Sequence, residues 1–132
     1  MKKKIDVVGA IIENDRGEIL ATLRSFDMAL SNYWEFPGGK IEDGETIKET
    51  IEREIIEELE CKIEAESVAY DTSTYEYDSV FVELTTIKCR IVEGTPRATE
   101  HQQIMWLDKR YLKSLVWAPA DIPAIEKLLK EV

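Results

Sequence analysis

Glu54, Glu57 and Glu58 stand at i, i+3 and i+4, a spacing that sets three carboxylates on one face of a helix within an arc of roughly 100°. Ile47, Ile51, Ile55 and Leu59 recur every four positions in the same stretch and form an apolar stripe at its edge. The carboxylates therefore gather beside a core. Like charges at this spacing oppose one another by about 0.2–0.5 kcal/mol per pair, and anions in a last helical turn oppose the helix dipole. Something positive should sit there. A hard divalent cation fits best, because it takes oxygen ligands and leaves positions for water and substrate phosphate. Arg53 and the nearby lysines are the alternative counter-charge, and a solvated Glu/Lys-rich face is the plainest reading of such a helix.

The elements that must position this face lie on either side of it. Trp34-Glu35-Phe36-Pro37 runs into a Gly38-Gly39 turn, whose missing Cβ atoms permit close backbone approach to an ion or phosphate. Asp43-Gly44-Glu45-Thr46 starts the helix, with Thr46 placed to cap it and Glu45 complementing its positive end. No Gly or Pro occurs from Thr46 to Glu60, the predicted helix. The full spacing resembles the Nudix box, Gly-x5-Glu-x7-Arg-Glu-U-x-Glu-Glu-x-Gly-U with U aliphatic, here carried by Gly39, Glu45, Arg53, Glu54, Ile55, Glu57 and Glu58. Two positions depart from it. Glu60 stands where the pattern closes on Gly, and Cys61 where it ends on an aliphatic residue, so this helix end is expected to differ from a left-handed Gly cap.

The resemblance covers essentially the whole chain and implies one domain over residues 1–132 with an α/β (α+β) fold. That fold is the Nudix α/β/α sandwich: a mixed central sheet, the box helix on one face and the C-terminal helix on the other. Periodicity alone gives only α/β or α+β. The resemblance implies Mg2+ or Mn2+ held by Glu54, Glu57, Glu58 and the Gly38 carbonyl, with Arg53 orienting the carboxylates. Glu100 matches the glutamate that approaches the metals from outside the box, as a further ligand or as the group that orients or deprotonates the attacking water. Arg24, Glu35 and Lys40 are implied on the substrate side, Arg24 by bridging two phosphate oxygens; a plain surface charge is the competing role for Arg24 and for Lys40.

The Ala118 to Pro123 segment is similar to the base-recognising corner of the CTP pyrophosphohydrolase branch. An ionised carboxylate only accepts hydrogen bonds, so Asp121 suits an exocyclic amino group such as cytosine N4 or adenine N6. Its competing role is N-cap of the last helix ahead of Pro123. The activity implied is hydrolysis of a nucleoside triphosphate to monophosphate and pyrophosphate, with cytosine nucleotides as substrates. Three alternatives stand beside it: an oxidised-guanine (8-oxo-dGTP) triphosphatase of MutT type, a hydrolase of ADP-ribose-like diphosphates, and a non-catalytic nucleotide-sensing domain. The second often carries a proline some fifteen residues past the box, and this chain has none between Pro37 and Pro96. The usual mark of the third, loss of box carboxylates, is absent.

Composition narrows the partners. The 132 residues are 44% hydrophobic and 33% charged, which suits one domain with a moderate core. Lys and Arg total 17 against 27 Asp and Glu, a net charge of −10 that lacks the basic footprint of a polymer-binding protein. A small nucleotide is the expected partner, with no nucleic-acid polymer and no membrane; the chain is expected as a monomer or homodimer. Cys61 and Cys89 match neither a metal spacing nor a disulfide framework, so a cytoplasmic setting is expected. Asp6 interrupts any signal-like apolar run, and no stretch is long enough to span a bilayer.

In chain order, Ile5 to Ile12 and Glu18 to Arg24 read as strands joined by a turn, and Ser25 to Tyr33 as a loop across the mouth of the site. Lys62 to Tyr70 and Thr72 to Tyr77 read as strand, the second pairing with Val80 to Ile91 as a hairpin. Tyr75 and Tyr77 are read as packed strand residues with hydroxyls reaching water, with stacking on a base as the alternative. Glu100 and His101 fall in a loop, and His101 is left outside the catalytic set as a surface or supporting residue. Asp108 to Ser114 suggests a short helix, and a final helix turns Ile125, Leu128 and Leu129 inward.

Overall fold

The β-branched run near the start of the chain forms the strand on which the others are laid. In the computed structural model, which describes residues 2–132, β1 (Lys3–Ile12) pairs in parallel with β7 (Val80–Glu93) on one edge and antiparallel with β4 (Gly38–Lys40) on the other. β5 (Lys62–Ala65) and β6 (Asp71–Glu76) both pair antiparallel with β7, at Cys89 to Glu93 and Phe81 to Thr86 respectively. Sharing one edge obliges the chain to step along β7 between them. The strand predicted to continue to Tyr70 therefore stops at Ala65. A second sheet, in the order β3 (Trp34–Glu35), β2 (Glu18–Leu23), β8 (Gln103–Asp108), is wholly antiparallel.

Two cores lie on opposite faces of this framework. Val8, Ala10 and Ile12 of β1 pack with Ile51, Ile55 and Leu59 of α1 (Ile47–Leu59), all fully buried. Ile11, next along β1, belongs to the other core with Ile19, Phe36 and Trp117, closed by Ile125 and Leu128 of α2 (Ile122–Leu129). Burial on both faces accounts for the unbroken apolar run of β1, and each such side chain contributes about 1.5–3 kcal/mol. The arrangement is the α/β/α sandwich, with α1 on one face and α2 on the other. The segment expected as a short helix after β8 is a 3-10 turn, Lys109–Ser114, capped by Asp108, which accepts from the Arg110 amide at 2.9 Å. No helix among the described residues is long and apolar enough to cross a membrane.

Candidate active site

α1 starts on a reciprocal cap. The Thr46 hydroxyl accepts from the Glu49 amide at 3.1 Å and the Glu49 carboxylate accepts from the Thr46 amide at 2.9 Å, which satisfies two of the helix's free donors. Glu45, just before the cap, also grips an arginine. Its two oxygens accept from Arg53 Nε at 2.7 Å and Nη2 at 2.9 Å, and Arg53 Nη1 donates to Glu54 at 2.7 Å. The guanidinium thus forks between the segment before the helix and a box carboxylate. Hydrogen bonding to Arg53 holds the Glu45 carboxyl down to about 2.

The other end of α1 corrects the sequence expectation. Glu60 takes the left-handed conformation, φ 56°, and its amide donates to the Ile56 carbonyl at 3.1 Å. The cap geometry usual for Gly is kept, with a side chain bearing its cost.

The paired glycines answer to the protein's own atoms. A Cβ on Gly38 would overlap the Val8 carbonyl oxygen across the β1–β4 pairing, and one on Gly39 would lie 2.5 Å from both Cδ and Oε2 of Glu54. Their lack of a side chain admits a strand on one side and the box carboxylate on the other.

These elements wall a cavity of about 660 Å3 lined by Arg24, Glu35, Gly38, Gly39, Lys40, Glu54, Glu58, Glu100, His101 and Asp121, with Met28 to Leu30 of the mouth loop. Glu54 and Glu58 are brought together there. Glu57 is not: its side chain is 55% exposed, its one ion pair is to Arg53 at 3.5 Å, and it does not line the cavity. Burial, then the hydrogen bond and charge of Glu54, then Glu35 and Glu100, push the Glu58 carboxyl well above the carboxylate range.

Arg24 and Glu35 form a half-buried pair at 2.6 Å, and Arg24 Nε also donates to the Ala29 carbonyl at 2.7 Å. Burial raises the Glu35 carboxyl against the opposing charge of Arg24. Lys40 is exposed at the rim.

Asp121 occupies the N-cap position of α2 without its side chain capping the helix. No cap hydrogen bond forms; instead its Oδ2 accepts from the Phe36 amide at 2.9 Å, inside the protein. Burial, and then the charge of Glu35, push its carboxyl up to about 8. Below that value the acid is neutral and presents a donor as well as an acceptor. Tyr77 is packed as expected of a strand residue: its hydroxyl accepts from the Ala120 amide at 3.1 Å, and its ring lies 4.8 Å from that of Tyr75.

His101 is the residue that sequence reasoning undervalued. Its side chain is 5% exposed, with Nε2 at 3.4 Å from Glu58 and 3.8 Å from Glu35, and its Nδ1 is buried without a partner. Burial and then Arg24 hold the imidazole down to about 4, so it is neutral; Glu58, itself pushed toward the neutral acid, offers it little charge. The adjoining Glu100 was the available signal, since the loop that brings one to the cavity carries the other.

The donor set suits a hard divalent cation. Glu54, Glu58 and Glu100 are oxygen donors on one cavity beside the Gly38-Gly39 turn, and the charges facing Glu58 are mainly negative. Among the described residues no three acidic, imidazole or thiol groups are already gathered into a metal cage. Arg53 draws on Glu54 and Glu57.

Comparison with known proteins follows the same lines. Residues 3–128 match the family model described as NUDIX domain. The chain is 37% identical over 128 residues to the CTP pyrophosphohydrolase of Escherichia coli K12, covering 96% of this chain and 93% of that one. It is 34% identical over 126 residues to the 8-oxo-dGTP diphosphatase of the same strain, covering 96% and 97%. The solution structure described as DNA mismatch repair protein MutT, a Nudix hydrolase from methicillin-resistant Staphylococcus aureus 252, superposes with a TM-score of 0.80 at 48% identity over the whole of both chains.

Proposed function

Since the chain belongs to the NUDIX domain family and is a Nudix hydrolase, we propose that residues 1–132 act as one cytoplasmic nucleoside triphosphate pyrophosphohydrolase, monomer or homodimer, releasing monophosphate and pyrophosphate from cytosine nucleotides. Nudix hydrolases generally need divalent metal ions and act on small nucleotides. Glu54, Glu58 and Glu100 on the cavity, with the Gly38 carbonyl and with Glu57 turned in from the exposed edge of the same helix face, are the groups that would hold Mg2+ or Mn2+. When bound, such an ion supplies charge to phosphate oxygens and acidity to water.

The chain's own residues do the rest. Arg24 presents its guanidinium to phosphate oxygens, steadied by Glu35 and the Ala29 carbonyl. Lys40 adds charge at the rim. Arg53 keeps Glu54 aimed into the cavity, and Glu100 orients the attacking water and takes its proton. Asp121 meets the base.

The observation that carries the cytosine reading is the placement of Asp121 on the same cavity as Glu54 and Glu58, with Oδ2 bonded to the Phe36 amide and, among the described residues, no donor on its other oxygen. It is supported by the identity to the CTP pyrophosphohydrolase. A second reading, oxidised-guanine triphosphate, is favoured by the neutral state of Asp121 at pH 7, whose O–H suits a carbonyl on the base.

Pyrophosphate release with Mg2+ across CTP, dCTP, 5-methyl-dCTP, GTP and 8-oxo-dGTP, with Glu58→Gln as the blank, tests both. Preference for cytosine nucleotides, lost in the variant, is the expected result. Preference for 8-oxo-dGTP moves the base assignment and leaves the carboxylate roles standing.

A further inference from the structure

One short segment fastens the two walls of the cavity to each other. At its start the Arg97 amide donates to the Leu59 carbonyl at 2.9 Å and the Thr99 hydroxyl to the Glu58 carbonyl at 2.6 Å, which docks it on the C-terminal turn of α1. Glu100 and His101 follow and line the cavity. At its end the Gln102 amide donates to the Leu23 carbonyl at 3.0 Å, and Gln102 Nε2 donates to two further carbonyls, Arg24 at 2.7 Å and Ser31 at 2.8 Å. Both side-chain partners are acceptors, which fixes the orientation of the Gln102 amide, because only its NH2 can serve them.

These two carbonyls sit at opposite ends of the mouth loop, Ser25 to Tyr33. That loop contributes Met28, Ala29 and Leu30 to the cavity wall, and its Ala29 carbonyl receives Arg24 Nε. It also holds Leu30 at φ 59°, a conformation that a side chain resists. Its internal bonds are few and short in range: the Met28 amide to Ser25, the Tyr33 amide to Leu30 and the Arg24 amide to Tyr33 along the backbone, and the Ser25 hydroxyl to the Asp27 carboxylate. A loop so lightly bonded keeps its shape by being tied from outside.

We propose that Gln102 is a positioning residue for the hydrolysis, closing the base of the mouth loop and so setting Arg24 and Met28 to Leu30 at a fixed distance from Glu100 and His101. This role rests on the nucleotide-hydrolysing reading of the same cavity. Gln102 does not line the cavity. Its loss loosens the wall that receives the triphosphate and leaves the carboxylates on α1 in place, so it acts on binding ahead of turnover.

Gln102→Met keeps the length of the side chain and removes both donors; Gln102→Glu keeps its shape and sets an anion against two carbonyl oxygens. In each folded variant KM for the preferred triphosphate should rise about tenfold, with kcat within about threefold of the parent. Amide exchange at Arg24, Met28 and Tyr33 should quicken while the α1 amides keep their protection. Unchanged KM with unchanged exchange, or a fall in kcat at constant KM, overturns the proposal. If the parent chain turns over no triphosphate, the nucleotide reading fails by itself, and exchange still decides the tie: faster loop exchange supports it and unchanged exchange overturns it.

Discussion

Gly39 and Glu54 adjoin so closely that a Cβ on the glycine would lie 2.5 Å from the Cδ of the glutamate. The turn and the box carboxylate fix each other, while Arg53 draws on the carboxylate at 2.7 Å. Gly39→Ala must displace Glu54 and should cut turnover about a hundredfold, the scale expected when a reacting constellation shifts by an ångström. Gly38→Ala meets backbone of β1 instead and should cost about 1–3 kcal/mol of stability. Turnover and chemical denaturation on the two variants separate these outcomes.

Arg53→Lys should behave as a loss rather than a conservative change. A guanidinium serves Glu45 through two bonds and Glu54 through a third; an ammonium on a flexible stem cannot reproduce that planar fork. Turnover should fall at least about tenfold, and calorimetric titration with Mn2+ should show weaker binding than in the parent.

Glu60→Gly should stabilise the protein by about 1 kcal/mol, because the residue already sits at φ 56° where a Cβ is penalised. The ion pair it forfeits, to Arg97 at 3.4 Å, is exposed and contributes little. Turnover should not change. A lower melting temperature in the variant would refute the strain account.

Asp121 gives the protein an alkaline liability. Its folded carboxyl is raised from 3.8 to about 8, so the folded state binds this proton more tightly than the unfolded chain. The contribution to stability is full below the unfolded value and is lost progressively as pH rises from 3.8 through about 8. Asp121→Asn keeps an oxygen for the Phe36 amide and removes the titration. The melting temperature of the parent, relative to this variant, should fall between pH 5 and pH 9; a constant difference would count against the buried acid.

Much of this was legible in the sequence because it depends on local spacing. The i, i+4 stripe of Ile51, Ile55 and Leu59 reported α1 and its buried face, and the positions of Arg53, Glu54 and Glu58 reported the carboxylate cluster. Tertiary facts were not legible. Glu57 shares the helical arc yet stands outside the cavity, exposed and paired with Arg53. The competing cap role of Asp121 follows from its neighbours Ile122 and Pro123, but its hydrogen-bond partner is Phe36, 85 positions away. His101 reads as a surface or supporting loop residue until Glu58 of α1 and Glu35 of β3 are set beside it. The bulk of Glu60 forbids nothing at its position; it only makes the left-handed turn more costly.

The parallel ladder between β1 and β7 carries a consequence for how the site comes into being. Lys3 lies opposite Val80 and Ile12 opposite Cys89, so the central pairing joins segments far apart in sequence and must meet its loop-closure entropy before it gains any contact. A growing chain that has not yet emerged past β7 leaves one edge of β1 bare. Until that edge is filled, the frame carrying Gly38 and Gly39 against Glu54 has no fixed place, and the newborn chain is most open to sticking to its neighbours at this stage.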